Sequence, residues 1–409
     1  MSPSVTLFNL VLVALTAFGL RLLLGALPGV RVPGVVFEIL AGVVIGPAVL
    51  GLVQVDPVLD AVSLVGLAYV LFLSGAGVEL CYARGRPLAL AGAAFAASLL
   101  VGMGLGGLLT LGGFTSNALL VGIMLSGTGM AIVNPVLGAA HQRGTPFGRY
   151  VHVAGDLGVF APMVLVALVF SHGAHWLSGT ILVVSIVAAA LALGATVMFA
   201  AHSRWIADLV GRLDDSSSQI RVRGTFALLL AMAALAGHLG LEVVLGAFLA
   251  GCIFAWLDCD ARERHPLLSQ KLEAIGFGIF VPVFFISVGV RLTLPDFSRD
   301  PRLLVLAVLV FAGLLIARAA ATFAYRGVLG TRDAVAASLL LAVPGPFFIA
   351  TSRIGVGTGD LSTEMASAMV LAAVAAMVVL PDLATRVLER HKAGSGSPVL
   401  AITEQGRAA

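Results

Sequence analysis

The segment NALLVGIMLSGTGMAIVNPVLGAA, residues 117–140, carries no charged side chain and is long enough, as a helix, to cross the roughly 30 Å of hydrocarbon in a bilayer. Its middle reads Ser126-Gly127-Thr128-Gly129, followed by Asn134 and Pro135, a combination that breaks a helix at mid-membrane. Backbone groups freed at that depth are tolerated only where protein buries them or where they line a wet cavity. A second apolar window, 333–354, is interrupted in the same manner by Pro344-Gly345-Pro346. Either break alone is matched by an ordinary packing kink. Two broken spans at corresponding places in two halves of a chain point to a transport site.

Around these two windows the whole chain is apolar. Of its 409 residues 59% are hydrophobic and 11% charged, and the mean hydropathy is +1.07, values that exclude an ordinary soluble globule. Windows long enough to span predict helices at 5–27, 33–52, 58–80, 87–111, 117–140, 147–171, 178–201, 222–239, 240–257, 271–291, 302–326, 333–354 and 361–386. The breaks fall in the fifth and twelfth. The first run lacks a basic leader and is too long for a signal-peptide core, so it reads as a retained span. With spans alternating in direction, 19 of the 24 Lys and Arg collect on one side, which places the N-terminus outside and the C-terminus in the cytoplasm. The +3 net charge reports that topology, and no basic patch interleaved with aromatics suggests nucleic acid. Cys81, Cys252 and Cys259 have neither metal-like nor redox spacing and read as small packing residues.

The polar stretch LDDSSSQIRVR, 213–223, reads as a linker between a first half, 1–212, and a second, 224–386, with a polar cytoplasmic tail over 387–409. EILAG (38–42) resembles EVVLG (242–246), and GVEL (77–80) resembles GVRL (289–292). Each pair lies seven spans apart, so the second copy runs through the membrane in the opposite sense, as in the inverted repeats of secondary transporters.

Asp156 sits in RYVHVAGDLGVFAPMV, 149–164, in the sixth window; a carboxylate at a bilayer centre costs about 2.5 to 3.5 kcal/mol on insertion scales. It lies nine residues past the cytoplasmic start of its span, about 14 Å deep. Arg318 is eight residues from the cytoplasmic end of the eleventh, about 12 Å deep, so the two charges can meet at one level. A guanidinium opposes the effect of desolvation on a carboxyl group, and the pair can poise Asp156 for proton exchange; the plainer reading is an ion pair that joins two helices. His152, one turn before Asp156, can tune it or simply pack. Thr128 and Asn134 can offer neutral oxygens to a cation or cap a broken helix. Glu38, Glu79 and Glu242 lie near span ends, where a carboxylate can reach water or a headgroup, and read as structural.

These residues resemble a known family, the second family of monovalent cation:proton antiporters, with the sodium/proton exchanger domain. VPGVVFEILAGVVIGPAVLGL (32–52) is similar to the family's Pro, Glu, Gly and Gly-Pro signature, and LFLSGAGVEL (71–80) to its third-span pattern. LGAFLAG (245–251) and KLEAIGFGIFVPVFFISVGVRL (271–292) follow in the family's order. The resemblance implies an all-helical fold of about thirteen spans in two inverted repeats. A core bundle of spans four to six and eleven to thirteen, with crossed broken helices, would move against a dimerising panel.

In relatives a pair of polar residues occupies the sixth span, and the second member binds cation and proton in turn; the matching pair here is Gly155 and Asp156. Arg318 falls where relatives often carry a Lys. Pro344, Gly345, Pro346 and Phe347 stand where they often read Arg-Gly-Glu-Phe. A single carboxylate facing an Arg that cannot usefully release a proton implies electroneutral exchange of one proton for one Na⁺ or K⁺. Gly155 leaves the coordination shell poorer than in relatives. The chain stops soon after its last span, so the nucleotide-binding gating of the glutathione-gated potassium efflux relatives is not expected. The expected protein is a homodimeric, multi-pass secondary transporter of the inner (plasma) membrane that needs no cofactor. It shows no nucleophile–base constellation, P-loop or zinc spacing. Export of a small organic anion or an ionophore–cation complex, and a transport-inactive sensor or regulatory subunit, are alternatives on the same fold.

Overall fold

The computed structural model describes residues 3–26, 33–78, 85–170, 176–202, 219–239, 241–258, 266–292 and 300–394. The helices are α1 (Pro3–Ala26), α2 (Gly34–Ile45), α3 (Pro57–Ala76), α4 (Arg86–Leu111), α5 (Ala118–Ser126), α6 (Met130–Ala139), α7 (Pro146–Phe170), α8 (Trp176–His202), α9 (Ile220–His238) and α10 (Val243–Asp258). There follow α11 (Pro266–Ile275), a π-helical turn at Gly276–Phe280, α12 (Val281–Arg291), α13 (Pro301–Leu341), α14 (Pro346–Gly357) and α15 (Thr363–Gly394). No strand occurs among the described residues, and nine described helical segments are long and apolar enough to cross a membrane, of which Ala118–Ala139 joins α5 and α6 across their break and Leu268–Arg291 runs through the π-helical turn. Phe323–Leu341 and Pro346–Gly357, bent by 47°, form a tenth if taken as one span, and Gly34–Ile45, Val184–Thr196 and Val243–Trp256 are shorter apolar helices in the remaining expected windows. The chain is an all-helical, polytopic membrane protein. One side of α1 leaves Leu7, Leu15, Phe18 and Leu22 about 60% exposed, a surface that only lipid or another apolar partner can cover.

Several boundaries differ from those read in the sequence, each for a local reason. The second window reached to residue 52, but α2 ends at Ile45, where Gly46 turns extended and Pro47 follows. The tenth window is not a plain helix: Pro282 has no N–H to continue the ladder, and the turn before it widens to π. Helical hydrogen bonding continues from the eleventh window into the twelfth, but Gly330 interrupts the helical dihedrals with φ +79°, a backbone state that favours glycine. Residues Ile220 to Arg223 belong to α9 rather than to the linker, and α15 runs on to Gly394, into the stretch read as a tail. The rest of 213–223 up to Ser218, and Glu79, Cys81 and Cys259, lie outside the described residues. Glu38, read as structural, is 1% exposed and accepts a 2.8 Å ion pair from Arg21 of α1. It lies one turn inside α2, on the face that α1 covers.

Glycines set how closely the helices approach. A Cβ on Gly42 of α2 would lie 2.0 Å from the Ile286 carbonyl oxygen and 2.9 Å from Gly289 Cα of α12. One on Gly75 of α3 would lie 2.2 Å from the Phe248 carbonyl oxygen and 3.2 Å from Gly251 Cα of α10. Span two therefore packs on span ten and span three on span nine, and exchanging the two halves carries one contact onto the other.

Candidate functional site

The two broken spans cross where they break. Asn117 caps α5, its Oδ1 accepting from Leu120 N at 3.1 Å, and the helix ends at Gly127, which is extended. The break itself is Gly127 to Gly129; Pro135, read from sequence as part of it, lies inside α6. In the other span the helix stops at Leu341, residues Ala342 to Gly345 run between, and Pro346 opens α14, where its missing N–H costs no hydrogen bond. Gly129 and Gly345 touch: a Cβ on Gly129 would sit 2.8 Å from Gly345 Cα, and one on Gly345 would sit 2.6 Å from Gly129 Cα. Backbone freed on one side is satisfied by the other, since Gly129 N donates to Val343 O at 2.7 Å and Thr128 Oγ1 donates to Leu341 O at 2.8 Å. Thr128 N donates to Gly158 O of α7 at 3.0 Å, which fixes the crossing to the helix that carries Asp156.

Arg318 of α13 is 2% exposed and enters this crossing. Its Nη2 donates to the Ser126 carbonyl oxygen and, at 2.7 Å, to Thr128 Oγ1. Ser126 ends α5, so the guanidinium sits at the negative end of a half-helix and satisfies a carbonyl the break leaves without an intrahelical partner. Thr128, a candidate neutral ligand, thus has its hydroxyl engaged twice, as donor to Leu341 and acceptor from Arg318. Asn134 differs: its Oδ1 is buried with no hydrogen-bond partner among the described residues, while its carbonyl accepts from Arg143 at 3.1 Å.

Helix α7 presents two faces. Gly155 and Gly158, three apart, face the crossing: a Cβ on Gly158 would lie 2.7 Å from Thr128 Oγ1 and 3.0 Å from Arg318 Nη2, and one on Gly155 would lie 2.0 Å from Met130 Sδ. Arg318 therefore reaches α7 two residues from Asp156, at about the same depth but on the Gly158 side, about 200° round the helix. The stripe His152, Asp156, Phe160 lies about 100° round the helix from Gly155 and further from Gly158. Phe160 stacks on Phe248 of α10 at 5.8 Å, and Cys252 of α10 lies within electrostatic range of Asp156. His152 Nδ1 is 3.9 Å from Asp156 Oδ2, and each side chain is 13% exposed. Asp156 thus lies between the crossed helices and the layer of α3 and α10.

A cavity of about 560 Å³ reaches His152, one turn before Asp156; it is bounded by Leu73, Ser74 and Ala76 of α3 and by Met130, Asn134, Arg143 and Glu273. Its α3 wall is the C-terminal end of that helix. At the other end of α3, about 24 Å away by helical rise, Asp60 pairs with Arg291 of α12 and lies 3.7 Å from Arg353 of α14. The cavity thus lies at one end of α3 and the charge cluster at the other. Among the described residues no group of three or more His, Cys, Asp or Glu could hold a metal ion; a monovalent cation bound in passing needs no such cluster.

Sequence reasoning missed three kinds of participant: backbone carbonyls, Met130 and an ion cluster. Ser126 acts through its carbonyl, which no side-chain identity announces, as do Leu341 and Val343. Met130 resembled any apolar residue of its helix. The ion cluster joins three distant segments, and nothing in their local sequence links them.

Comparison with known proteins agrees with this architecture. The profile of the sodium/hydrogen exchanger transmembrane family matches residues 11–390. The chain is 28% identical over 403 residues to YjbQ of Bacillus subtilis, covering 94% of itself but only 63% of that protein's length. It is 27% identical over 267 residues to the Na⁺/H⁺-K⁺ antiporter GerN of Bacillus cereus, covering 64% and 66% of the two. The solved structure of the sodium proton antiporter MjNhaP1 from Methanocaldococcus jannaschii superposes with a TM-score of 0.64 at 15% identity, over 96% of this chain and 98% of that one, and shares its fold. With its crossed broken spans and a profile match over nearly its whole length, the chain belongs to the sodium/hydrogen exchanger transmembrane family.

Proposed function

We propose that this protein is a secondary antiporter that exchanges Na⁺ or K⁺ for H⁺, one for one and without net charge movement, at Asp156. The observation that carries this reading is the position of Asp156: a carboxylate in a membrane-spanning helix, on the helix that the crossed breaks are bonded to, and 3.9 Å from His152, which lines a cavity at the C-terminal end of α3. When a cation binds the carboxylate the proton leaves, and when a proton binds the cation leaves. Either way the site carries the same charge, and Arg318 stays as a fixed cation at the end of α5. The names of relatives such as GerN support the choice of ions.

The layer of α2, α3, α10 and α12 serves as the panel, and the crossed helices with α4, α7, α13 and α15 as the moving core. Under the topology set by the basic residues, the cavity opens to the cytoplasm and the cluster of Asp60, Arg291 and Arg353 closes the outside. The protein acts as a homodimer in the plasma (inner) membrane.

The test is purified protein in liposomes with an internal pH dye, pulsed with Li⁺, Na⁺ or K⁺ and with the voltage clamped by a potassium ionophore. The expected result is a cation-dependent pH change whose rate the clamp does not alter, with the half-saturating cation concentration rising as pH falls because protons compete for one group. A pH change that vanishes or accelerates under the clamp contradicts one-for-one exchange. No pH change with any cation contradicts antiport.

A further inference from the structure

Gly155 stands next to the exchanging carboxylate, and the space a side chain there would use is already occupied. A Cβ at Gly155 would lie 2.0 Å from Met130 Sδ, 3.0 Å from its Cγ and 3.1 Å from its Cε, so the outer atoms of that side chain lie over the glycine. Met130 is 3% exposed and is the first residue of α6, and the crossing fixes its backbone because Gly129 N donates to Val343 O at 2.7 Å. It also lines the cavity that holds His152 and Asn134.

We infer that Met130 sets the ion preference of the Asp156 site by filling with a thioether the volume from which residue 155 would otherwise offer an oxygen to the cation. The inference rests on the antiport reading above. A thioether is a soft, weak acceptor, and hard cations such as Na⁺ and K⁺ take oxygen ligands. A site must replace the water that an ion sheds, and the smaller ions hold their water more tightly. Withholding one oxygen therefore penalises Li⁺ and Na⁺ more than K⁺, and Met130 biases the site toward the larger ion.

The experiment combines Gly155→Asn with Met130→Ala and reads two quantities in purified protein: thermal unfolding, and the half-saturating concentration of Na⁺ and of K⁺ in the liposome assay. Gly155→Asn alone is expected to lower Tm, and adding Met130→Ala to restore much of the loss, because the two side chains compete for one volume. In the folded double variant the half-saturating Na⁺ concentration is expected to fall about tenfold, with K⁺ changing less than about threefold. If Gly155→Asn costs as much Tm in the Met130→Ala background as in the wild type, the steric coupling is wrong and the inference falls. If the wild type transports and the folded double variant keeps the wild-type ratio of Na⁺ to K⁺, Met130 does not set the preference, while antiport stands. Absence of a signal in the wild type with every ion overturns both.

Discussion

Asp156→Asn is expected to reduce cation-dependent proton flux in liposomes to the level of protein-free vesicles, with the protein still folded. The amide has nearly the shape of the carboxylate, and the packing around it stays: Phe160 on Phe248 along its own face, Gly155 and Gly158 on the other. What the amide lacks is a group that takes up and releases a proton in the working pH range, and a charge to draw a cation out of water. A carboxylate in a membrane span costs about 2.5 to 3.5 kcal/mol on insertion scales, so losing the charge offsets much of what the change of partners costs. Flux should therefore vanish while thermal unfolding in detergent changes little. Flux that persists at a measurable fraction of wild type would mean that another group carries the proton.

The second large effect is structural. Gly129→Ala and Gly345→Ala are each expected to lower the unfolding temperature sharply and abolish flux, while Gly127→Ala, two residues from the first, is expected to do little. A Cβ on Gly129 would meet the Pro344 carbonyl oxygen at 2.5 Å and Gly345 Cα at 2.8 Å, and one on Gly345 would meet Gly129 Cα at 2.6 Å. Those neighbours are backbone, so the two spans must separate to admit the methyl. Overpacking of this sort costs about 1 to 3 kcal/mol. Separation also strains the Gly129 to Val343 and Thr128 to Leu341 hydrogen bonds, each worth about 0.5 to 1.5 kcal/mol net. Against a typical net stability of about 5 to 15 kcal/mol, that loss is severe. At Gly127 the nearest obstacle is Phe347 Cδ1 at 3.3 Å, a side chain that can turn aside. Equal effects at positions 127 and 129 would show that the crossing does not depend on backbone approach.

The architecture was legible wherever it rests on runs of one residue class. Apolar windows foretold the helices because spanning length is a property of composition, and Ser126-Gly127-Thr128-Gly129 foretold the fifth-span break because two glycines in four residues weaken any helix. Pro135 misled because α6 runs through it: as the sixth residue of the half-helix it forgoes only the hydrogen bond to the Ala131 carbonyl, a local loss that does not end the helix. The level of Arg318 came from counting residues, but its partners did not. It is held by the carbonyl oxygen that α5 exposes at its broken end, and backbone leaves no mark in a pattern of side chains. Nor could the sequence show what fills the place beside Asp156. The contact between Met130 and Gly155 joins two helices 25 residues apart and exists only once the crossing has formed. Glu38 read as structural, but its partner Arg21 did not show, because distance from a span end does not say which face of the helix a neighbour covers.

The central claim is that one carboxylate trades one cation for one proton, and proton release from the purified protein in weakly buffered detergent tests it most directly. Titration with Na⁺ or K⁺ near the pH at which half the sites are protonated is predicted to release at most one proton per bound cation, to saturate, and to be absent in Asp156→Asn. Cation binding that releases no proton, or release that survives in Asp156→Asn, would contradict the account.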